Sequence, residues 1–327
     1  MTRINAVMCD AIAEDIGSVA LREVELPEPG PGEVRVRLKA CAVNFPDLLM
    51  IQGKYQFKPP LPFAPGGEAA GDVEACGPGV SVKEGDAVVV SMRYGGFAEA
   101  VVVAEYQLKP LPKGMDYAKA ASYQTAYLTA YVALYRRGHL QAGEHLLVHG
   151  ATGGVGMAAV DLGKHFGAQV IGTGGRDDKL AVVKSRGADH VINYTTDNFA
   201  KKTLEITDGK GVDVVYDGVG EKTFEGSIET LKVRGMFVTF GNASGPIKSI
   251  ELKKHLAPKA IFITRPSVFP YTSTREELEM SAKMVFEAFK EKKIKMEIVK
   301  KYSLSEATKA HEDLEARKLK GPAIILT

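Results

Sequence analysis

The chain has 327 residues, which at about 150 residues per domain suggests two domains. Lys and Arg total 42 and Asp and Glu total 40, so the formal charge of +2 argues against an electrostatic nucleic-acid binder. No run approaches the roughly 18 apolar residues of a membrane helix. The first ten residues lack the apolar core of a signal peptide. The three widely spaced cysteines exclude a disulfide framework. We therefore expect a protein in a reduced, cytoplasmic setting, with no membrane partner and without nucleic acid as its main partner.

The first 120 residues contain short strand patterns. Residues 33–43 alternate polar and apolar side chains over their first seven positions, which predicts a strand with one solvated face. Further short strands are predicted at 71–75, 87–91 and 98–103, because glycine-rich turn signals separate them. This region is therefore predicted to be a mostly antiparallel β unit.

The hydrophobic period changes after residue 118. A connecting helix is predicted over 118–135, and strands then alternate with helices. Such alternation implies a doubly wound parallel sheet, because parallel strands need crossover connections. The predicted strands are 146–149, 169–172, 190–193, 212–216, 236–240 and 260–264, with helices at 156–166 and 177–186.

The last 60 residues return to shorter elements. A long charged helix is predicted from about Arg275 to Lys292, followed by a strand near Glu297, a helix over 305–317 and a final strand over 323–326. The shorter elements suggest that the tail rejoins the first domain.

A glycine-rich turn follows the predicted strand 146–149. It reads Gly150-Ala-Thr-Gly153-Gly154-Val155-Gly156 and leads directly into an amphipathic helix. Glycines let the backbone approach a pyrophosphate, which then binds to the free N–H groups of the helix start. Ala151 occupies the place of the first glycine of the usual dinucleotide motif, but the strand, turn, helix and second strand follow in the required order. The turn therefore predicts a dinucleotide site.

The end of the second predicted strand indicates which dinucleotide binds. An Asp or Glu there would hold the ribose 2′-hydroxyl of NAD, but the chain reads Gly174-Gly175-Arg176, with Asp177 and Asp178 only on the following helix. Positive charge is available instead from Arg176 and Lys179, and Tyr194 ends the next strand. We therefore expect NADPH as the cofactor, with Arg176, Lys179 and Tyr194 around the 2′-phosphate and Gly175 beside them.

Several motifs along the chain together resemble one family. They are Asn44-Phe-Pro-Asp47, Gly66-Gly-Glu-Ala-Ala-Gly71, Gly85-Asp-Ala-Val88, Gly150 to Gly156, Gly187-Ala-Asp-His-Val-Ile-Asn-Tyr194, Val214-Val-Tyr-Asp-Gly-Val-Gly220, Phe240-Gly-Asn-Ala-Ser-Gly245 and Thr264-Arg-Pro-Ser267. This succession resembles the zinc-free quinone oxidoreductases of the medium-chain dehydrogenase/reductase superfamily, which are related to zeta-crystallin. The resemblance implies an α/β protein with a GroES-like catalytic domain at 1–125, a Rossmann NADP-binding domain at 126–265, and a C-terminal segment at 266–327 that completes the catalytic domain.

The chain departs from the zinc alcohol dehydrogenases at their metal ligands. By resemblance, Asn44 stands where those enzymes have a cysteine ligand, Gly67 where they have a histidine, and Thr125 near their third ligand. Glu68 remains alone, whereas a zinc site needs at least three protein ligands. The resemblance therefore implies chemistry without a metal.

The resemblance also implies roles for individual residues. Asn44 and Tyr55 are the expected catalytic residues, the first near the nicotinamide and the second near the substrate entrance. Tyr131 is expected to reach the nicotinamide side. The alternatives are that Tyr131, on an alanine-rich helix, belongs to the core and that Tyr55 covers an apolar rim. The remaining residues expected near the nicotinamide half of the cofactor are Phe45, Pro46, Asp47, Phe240, Gly241, Asn242 and Ser267.

The leading hypothesis for the function is NADPH-dependent reduction of a quinone. A second is NADPH-dependent reduction of activated C=C bonds, as in enones or 2-haloacrylates, and a third is a non-enzymatic, crystallin-like or RNA-associated NADPH-binding protein. We also expect a homodimer. The apolar strand predicted at 260–264 would be an exposed sheet edge unless paired, and in the resembling family this edge pairs across a two-fold axis.

Overall fold

The computed structural model describes residues 1–14, 18–291, 294 and 297–327. The strands are β1 (Thr2–Cys9), β2 (Val19–Leu26), β3 (Glu33–Ala42), β4 (Glu68–Cys76), β5 (Ala87–Ser91), β6 (Ala100–Ala104), β7 (Leu108–Pro110), β8 (His145–His149), β9 (Gln169–Gly174), β10 (His190–Asn193), β11 (Val212–Asp217), β12 (Leu231–Thr239), β13 (Phe262–Thr264), β14 (Lys300–Ser303) and β15 (Ala323–Leu326). The α-helices are α1 (Phe45–Ile51), α2 (Tyr117–Ala121), α3 (Thr129–Tyr131), α4 (Gly154–His165), α5 (Asp177–Ser185), α6 (Phe199–Ile206), α7 (Glu221–Thr230), α8 (Arg275–Lys290) and α9 (Ala307–Glu315). Within these described ranges, no helix is both long and apolar enough to span a lipid bilayer.

The chain divides into two units. Residues 1–125 and 296–327 form the first, and residues 126–295 form the second. The predicted segment 266–327 differs from this division, because the stretch up to 295, with helix α8, falls in the second unit. Helix α8 buries Leu278, Ala282 and Val285 along one face. An amphipathic face shows that a helix packs against a core, but its sequence does not say which core.

The first unit is a mostly antiparallel β structure, as predicted. Its main sheet has the order β14-β15-β3-β4-β5-β7, with β6 also paired to β3. Strand β3 alternates as expected: Val34, Val36 and Leu38 are buried, whereas Arg35 Nε donates to Glu74 at 2.8 Å on the other face. The C-terminal strand β15 pairs antiparallel with β3, so the tail does rejoin the first unit.

The second unit is a doubly wound parallel sheet. Its strand order is β10-β9-β8-β11-β12-β13, and every pairing is parallel. This is the 3-2-1-4-5-6 order of dinucleotide-binding folds. The apolar run Leu146, Leu147 and Val148 is fully buried, as expected for a strand covered on both faces. The order reverses between β8 and β11, whose carboxyl ends are where such sheets bind ligands.

Several elements differ from the sequence predictions. Strands β1, β2 and β7 and helices α1, α6 and α7 were not predicted, and the strand expected near Glu297 begins at Lys300. The predicted end of the long helix at Lys292 lies outside the described residues. The predicted helix over 118–135 is interrupted: α2 ends at Ala121, and π-helical turns at Gln124–Leu128 and Val132–Arg137 flank α3. Apolar residues, counting tyrosine, fill 13 of the 18 positions of this stretch, so the hydrophobic period does not fix a regular helical register.

Candidate active site

The glycine turn of the second unit has two kinds of glycine. A Cβ added at Gly156 would lie 2.2 Å from the carbonyl oxygen of Gly150, so Gly156 permits the helix to pack against the turn. A Cβ added at Gly154 would meet no atom within 4 Å, and Gly153 is also exposed. The fold therefore does not itself require glycine at 154. The bare backbone leaves the N–H groups at the start of α4 accessible to an anion, which fits a pyrophosphate.

The ends of β9 and β10 lie beside each other. A Cβ added at Gly175 would lie 3.1 Å from the ring of Tyr194, so the two residues are in contact distance. Arg176 begins α5 with its side chain 61% exposed, and its Nε donates to Asp178 at 3.0 Å. Lys179, by contrast, is buried. The structure thus places Gly175, Arg176 and Tyr194 at one exposed strand end. Lys179 is buried in the first turn of the helix α5.

The carboxyl ends of β11 and β12 form a tightly packed pair of turns. Tyr216 stacks on Phe240 with ring centroids 4.2 Å apart, and a Cβ at Gly241 would lie 2.6 Å from the carbonyl oxygen of Gly218. These contacts fix the position of the Phe240-Gly241 turn. Asn242 follows on the surface, where its Oδ1 accepts a hydrogen bond from Arg265 Nη1 at 3.3 Å.

A buried carboxylate, absent from the predictions, organises the first of these turns. Asp217 accepts hydrogen bonds from the N–H groups of Val219 at 2.8 Å and Gly220 at 3.0 Å, and from Thr223 Oγ1 at 3.0 Å. Burial raises the pKa of Asp217 to about 6, while these hydrogen bonds lower it. An acidic residue that ends an apolar strand was the signal that could have identified it. Ser267, further along the chain, is half-buried.

Tyr131 belongs to an aromatic cluster. It is buried and stacks on Tyr135 at 5.5 Å, and Tyr135 stacks on Phe166 at 5.1 Å. Phe166 follows the C-terminal end of the 12-residue helix α4, about 18 Å along the helix axis from the glycine turn. Packing within this cluster therefore accounts for much of the burial of the Tyr131 side chain. Contact between Tyr131 and a cofactor stays a prediction.

The first unit contains a hydrogen-bonded cluster around Asn44. Asn44 Nδ2 donates to Glu68 Oε1 at 2.8 Å, and the Thr125 N–H donates to Glu68 Oε2 at 2.8 Å. Glu68 is 1% exposed, and burial raises its pKa to about 7, although hydrogen bonds from Asn44 and Thr125 lower it. Two of the positions that resemble zinc-ligand positions, Asn44 and Thr125, are thus joined through Glu68 by hydrogen bonds. Across the described ranges, no group of three or more His, Cys, Asp and Glu side chains is arranged to hold a metal ion.

Asp47 fixes the loop on the other side of Asn44. Its carboxylate accepts from the N–H of Asn44 at 2.9 Å and from the N–H of Gly66 at 3.2 Å. Burial raises the pKa of Asp47 to about 7. Asn44 is half-buried as the N-cap of α1, and Asp47 therefore holds the backbone that presents it.

The other predicted residues of this unit lie around the same helix. Phe45 is 47% exposed, Pro46 occupies the first turn of α1, and Tyr55 is half-buried against the hydrophobic core of the unit. The structure therefore joins Asn44 and Asp47 by hydrogen bonds, while Phe45 and Tyr55 contribute apolar surface.

Comparisons with known proteins match both units. Residues 30–113 match the alcohol dehydrogenase GroES-like domain, and residues 154–287 match a family described as zinc-binding dehydrogenase. The quinone oxidoreductase of Pseudomonas aeruginosa is 39% identical over 307 residues, which cover 93% of this chain and 94% of that protein. A 2-haloacrylate reductase of Burkholderia sp. is 35% identical over 314 residues, 93% of each protein.

A solved structure extends the match to the whole chain. The quinone oxidoreductase of Escherichia coli complexed with NADPH superposes with a TM-score of 0.94 at 34% identity, covering 99% of this chain and 100% of that one. The agreement spans both units, including the residues outside the family-matched ranges. The chain therefore belongs to the zinc-free quinone oxidoreductases of the medium-chain dehydrogenase/reductase superfamily.

Proposed function

We propose that this chain is an NADPH-dependent quinone oxidoreductase that acts without zinc. The glycine turn, whose exposed backbone leaves room for a pyrophosphate, supports this most directly, together with the identity to named quinone oxidoreductases. When bound, NADPH supplies a hydride; a quinone that takes up this hydride and one proton becomes a hydroquinone. The protein's contribution is binding, orientation and electrostatics.

The phosphates of the cofactor bind to the second unit. The N–H groups of Gly154 and Val155 hold the pyrophosphate, while the Gly153 N–H closes the turn by donating to the Gly150 carbonyl oxygen at 3.0 Å. Gly153 contributes bare backbone beside the phosphates, and Gly156 lets the turn adopt this shape. Gly175, Arg176, Lys179 and Tyr194 surround the adenosine 2′-phosphate. The two glycines at the end of β9 support NADPH over NADH as the cofactor, because they place no carboxylate where the 2′-phosphate would lie.

The residues that the resemblance implies for the nicotinamide half of the cofactor include a tightly packed turn. The Phe240-Gly241 turn is rigid because it packs on Tyr216 and Gly218, which suits a surface that must position a ribose. The residues that we assign to this half of the cofactor are Phe45, Pro46, Asp47, Tyr131, Phe240, Gly241, Asn242 and Ser267.

Asn44 and Tyr55 act on the acceptor. Asn44 carries an amide that one hydrogen bond anchors to Glu68, and its second N–H can donate to the acceptor oxygen on which negative charge develops. Tyr55 offers a ring against which a planar quinone can pack. The proton that completes the hydroquinone comes from water or from a weakly acidic donor.

A panel of acceptors tests this function. NADPH oxidation should be followed at 340 nm with benzoquinones, naphthoquinones, enones, 2-haloacrylates and buffer alone. Turnover with quinones well above the others is the expected result. A preference for 2-haloacrylates or enones would favour the second candidate, reduction of activated C=C bonds, which the 35% identity to a 2-haloacrylate reductase supports. Tight NADPH binding without turnover would contradict both.

A homodimer is proposed from the sheet edge of the second unit. Within the described residues, β13 pairs with β12 alone, and Phe262 on this edge is 58% exposed. An apolar edge strand of this kind is normally paired or covered. Light scattering at micromolar concentration should give twice the 35.2 kDa mass of the chain, and Phe262→Lys should shift the equilibrium toward the monomer. A wild-type mass of one chain would contradict the proposal.

The cysteines support a cytoplasmic setting. Cys9, Cys41 and Cys76 are free thiols, the first two buried. Free thiols persist in reducing compartments, whereas oxidising ones favour disulfides. Cell fractionation followed by detection of the protein tests this placement.

A further inference from the structure

Glu68 is a buried carboxylate with both oxygens occupied. Oε1 accepts from Asn44 Nδ2 and Oε2 accepts from the Thr125 N–H, each at 2.8 Å. The second contact lies next to the π-helical turn that begins at Gln124, so Glu68 also anchors the start of that turn. A carboxylate accepts hydrogen bonds and, when ionised, donates none. Asn44 must therefore turn the nitrogen side of its amide toward Glu68 and its carbonyl oxygen away.

We propose that Glu68 is a positioning residue for the reduction, acting through the Asn44 carboxamide. By holding one N–H of Asn44, Glu68 fixes which side of the amide faces the acceptor, so that the second N–H of the same nitrogen is presented to the oxygen that gains charge. This inference rests on the proposed function, in which Asn44 acts on the acceptor. A preorganised donor of this kind stabilises a developing oxyanion, and its loss in other enzymes costs about 100-fold or more in rate.

Replacing Glu68 with Gln would exchange one hydrogen-bond-accepting oxygen for a hydrogen-bond-donating amino group without changing the size of the side chain. The Gln carbonyl can still accept from the Thr125 N–H, so the anchor of the π-helical turn is kept. The Gln amino group would then face the amino group of Asn44, and two donors repel. Rotation of the Asn44 amide by half a turn relieves this contact and presents its carbonyl oxygen, an acceptor, where the N–H had been.

The kinetic test compares Glu68→Gln with a matched control. Glu33→Gln changes another carboxylate of the same unit that accepts a backbone hydrogen bond, from the Gly30 N–H at 2.9 Å. We expect Glu68→Gln to lower kcat for quinone reduction by roughly 10- to 100-fold, with the Kd for NADPH, measured by fluorescence, changed less than twofold. Glu33→Gln should leave kcat within twofold of the wild type. A wild-type kcat in Glu68→Gln would overturn the proposal.

A double-mutant cycle separates positioning from a merely structural role. If Glu68 acts through Asn44, adding Glu68→Gln to Asn44→Ala should lower kcat no further than Asn44→Ala alone. Independent effects that multiply would show that Glu68 acts by another route and would refute the inference.

An NMR measurement keeps the inference testable if the proposed function fails. With selective ¹⁵N labelling of Asn side chains, the Asn44 NδH₂ signal, assigned by its loss in Asn44→Ala, should show one proton shifted downfield in the wild type and not in Glu68→Gln. An unchanged signal would refute the positioning of the amide, whatever the acceptor. A wild type that turns over no quinone, with this signal behaving as expected, would instead refute the proposed function alone. Should Glu68→Gln fail to fold, the downfield proton of the wild type alone tests the contact, and its absence refutes it.

Discussion

Cofactor choice is open to a direct test at the end of β9. Arg176 is exposed, and its present partner is Asp178, at 3.0 Å. Lys179 is buried one turn further along α5. We predict that Arg176→Ala/Lys179→Ala removes most of a preference for NADPH over NADH, because both cations would act on the 2′-phosphate that distinguishes the two cofactors.

The size of the effect follows from the surroundings of each cation. A contact between a cation and a phosphate is worth about 1.5–3 kcal/mol, or roughly one to two decades in affinity. The Arg176 contact belongs at the low end, since the guanidinium is largely solvated and exchanges one anionic partner for another. For the double variant we therefore expect the NADPH to NADH ratio of kcat/KM to fall about 10- to 100-fold. The kcat at saturating NADPH should change little, because the ribose phosphate lies far from the reacting carbon.

Steady-state kinetics with both cofactors measure this ratio. Lys201→Ala/Lys202→Ala is the matched control, because it removes the same charge from α6. The control should keep the wild-type ratio. A wild type that already prefers NADH, or a double variant with its full NADPH preference, would refute the reasoning.

Two further predictions concern the stability of the second unit and the whole chain. Asp161 is buried and accepts hydrogen bonds from Tyr127 at 2.6 Å and from Arg186. Its replacement by Ala should lower the free energy of unfolding, measured with urea, by about 3–5 kcal/mol. A loss below 1 kcal/mol would contradict this prediction. Burial lowers the pKa of His149 to about 3 and that of His311 to about 4, below the ordinary 6.5. Below pH 6.5 the unfolded state binds protons at these histidines that the folded state excludes. Their contribution to the free energy of unfolding is therefore complete above pH 6.5 and is lost as the pH falls toward 4, by about 2 kcal/mol for each histidine between pH 7 and pH 5. The variant His311→Phe should show a shallower loss of thermal stability over that range, and an unchanged pH dependence would contradict the assignment.

The cofactor half of the site could be predicted from the sequence because its signals are local. Strand β8, the turn to Gly156 and helix α4 follow one another within about 20 residues, and the backbone requirement at Gly156 depends on a neighbour only six positions away. The parallel sheet followed from the alternation of its strands with helices, whereas the order of those strands was not predicted. Both predictions depend on rules that act over short stretches of chain.

The acceptor half could not be predicted in the same way. Asn44 and Glu68 are 24 residues apart, and Glu68 and Thr125 are 57 apart. Their contacts exist because β3, β4 and the start of the π-helical turn meet in the fold, which no local pattern specifies. In the sequence, Glu68 was interpreted only as a residue that remains alone near the zinc-ligand positions of related enzymes. The structure shows Glu68 hydrogen-bonded to Asn44, the residue expected to be catalytic. Likewise, Tyr135 stacks on Phe166, which is 31 residues away along the chain, and no local pattern specifies that contact.

The same cluster explains how a site of this shape stays folded without zinc. A buried carboxylate without partners is costly, and removing a neighbouring cation would leave Glu68 in that condition. The amide at position 44 and the N–H of Thr125 each supply a donor at 2.8 Å, so every carboxylate oxygen has a hydrogen bond. Asn44 therefore satisfies Glu68 while Glu68 orients Asn44. In the reaction that we propose, the acceptor would therefore meet an oriented N–H of Asn44 at the position where, by resemblance, the zinc alcohol dehydrogenases have a metal ligand.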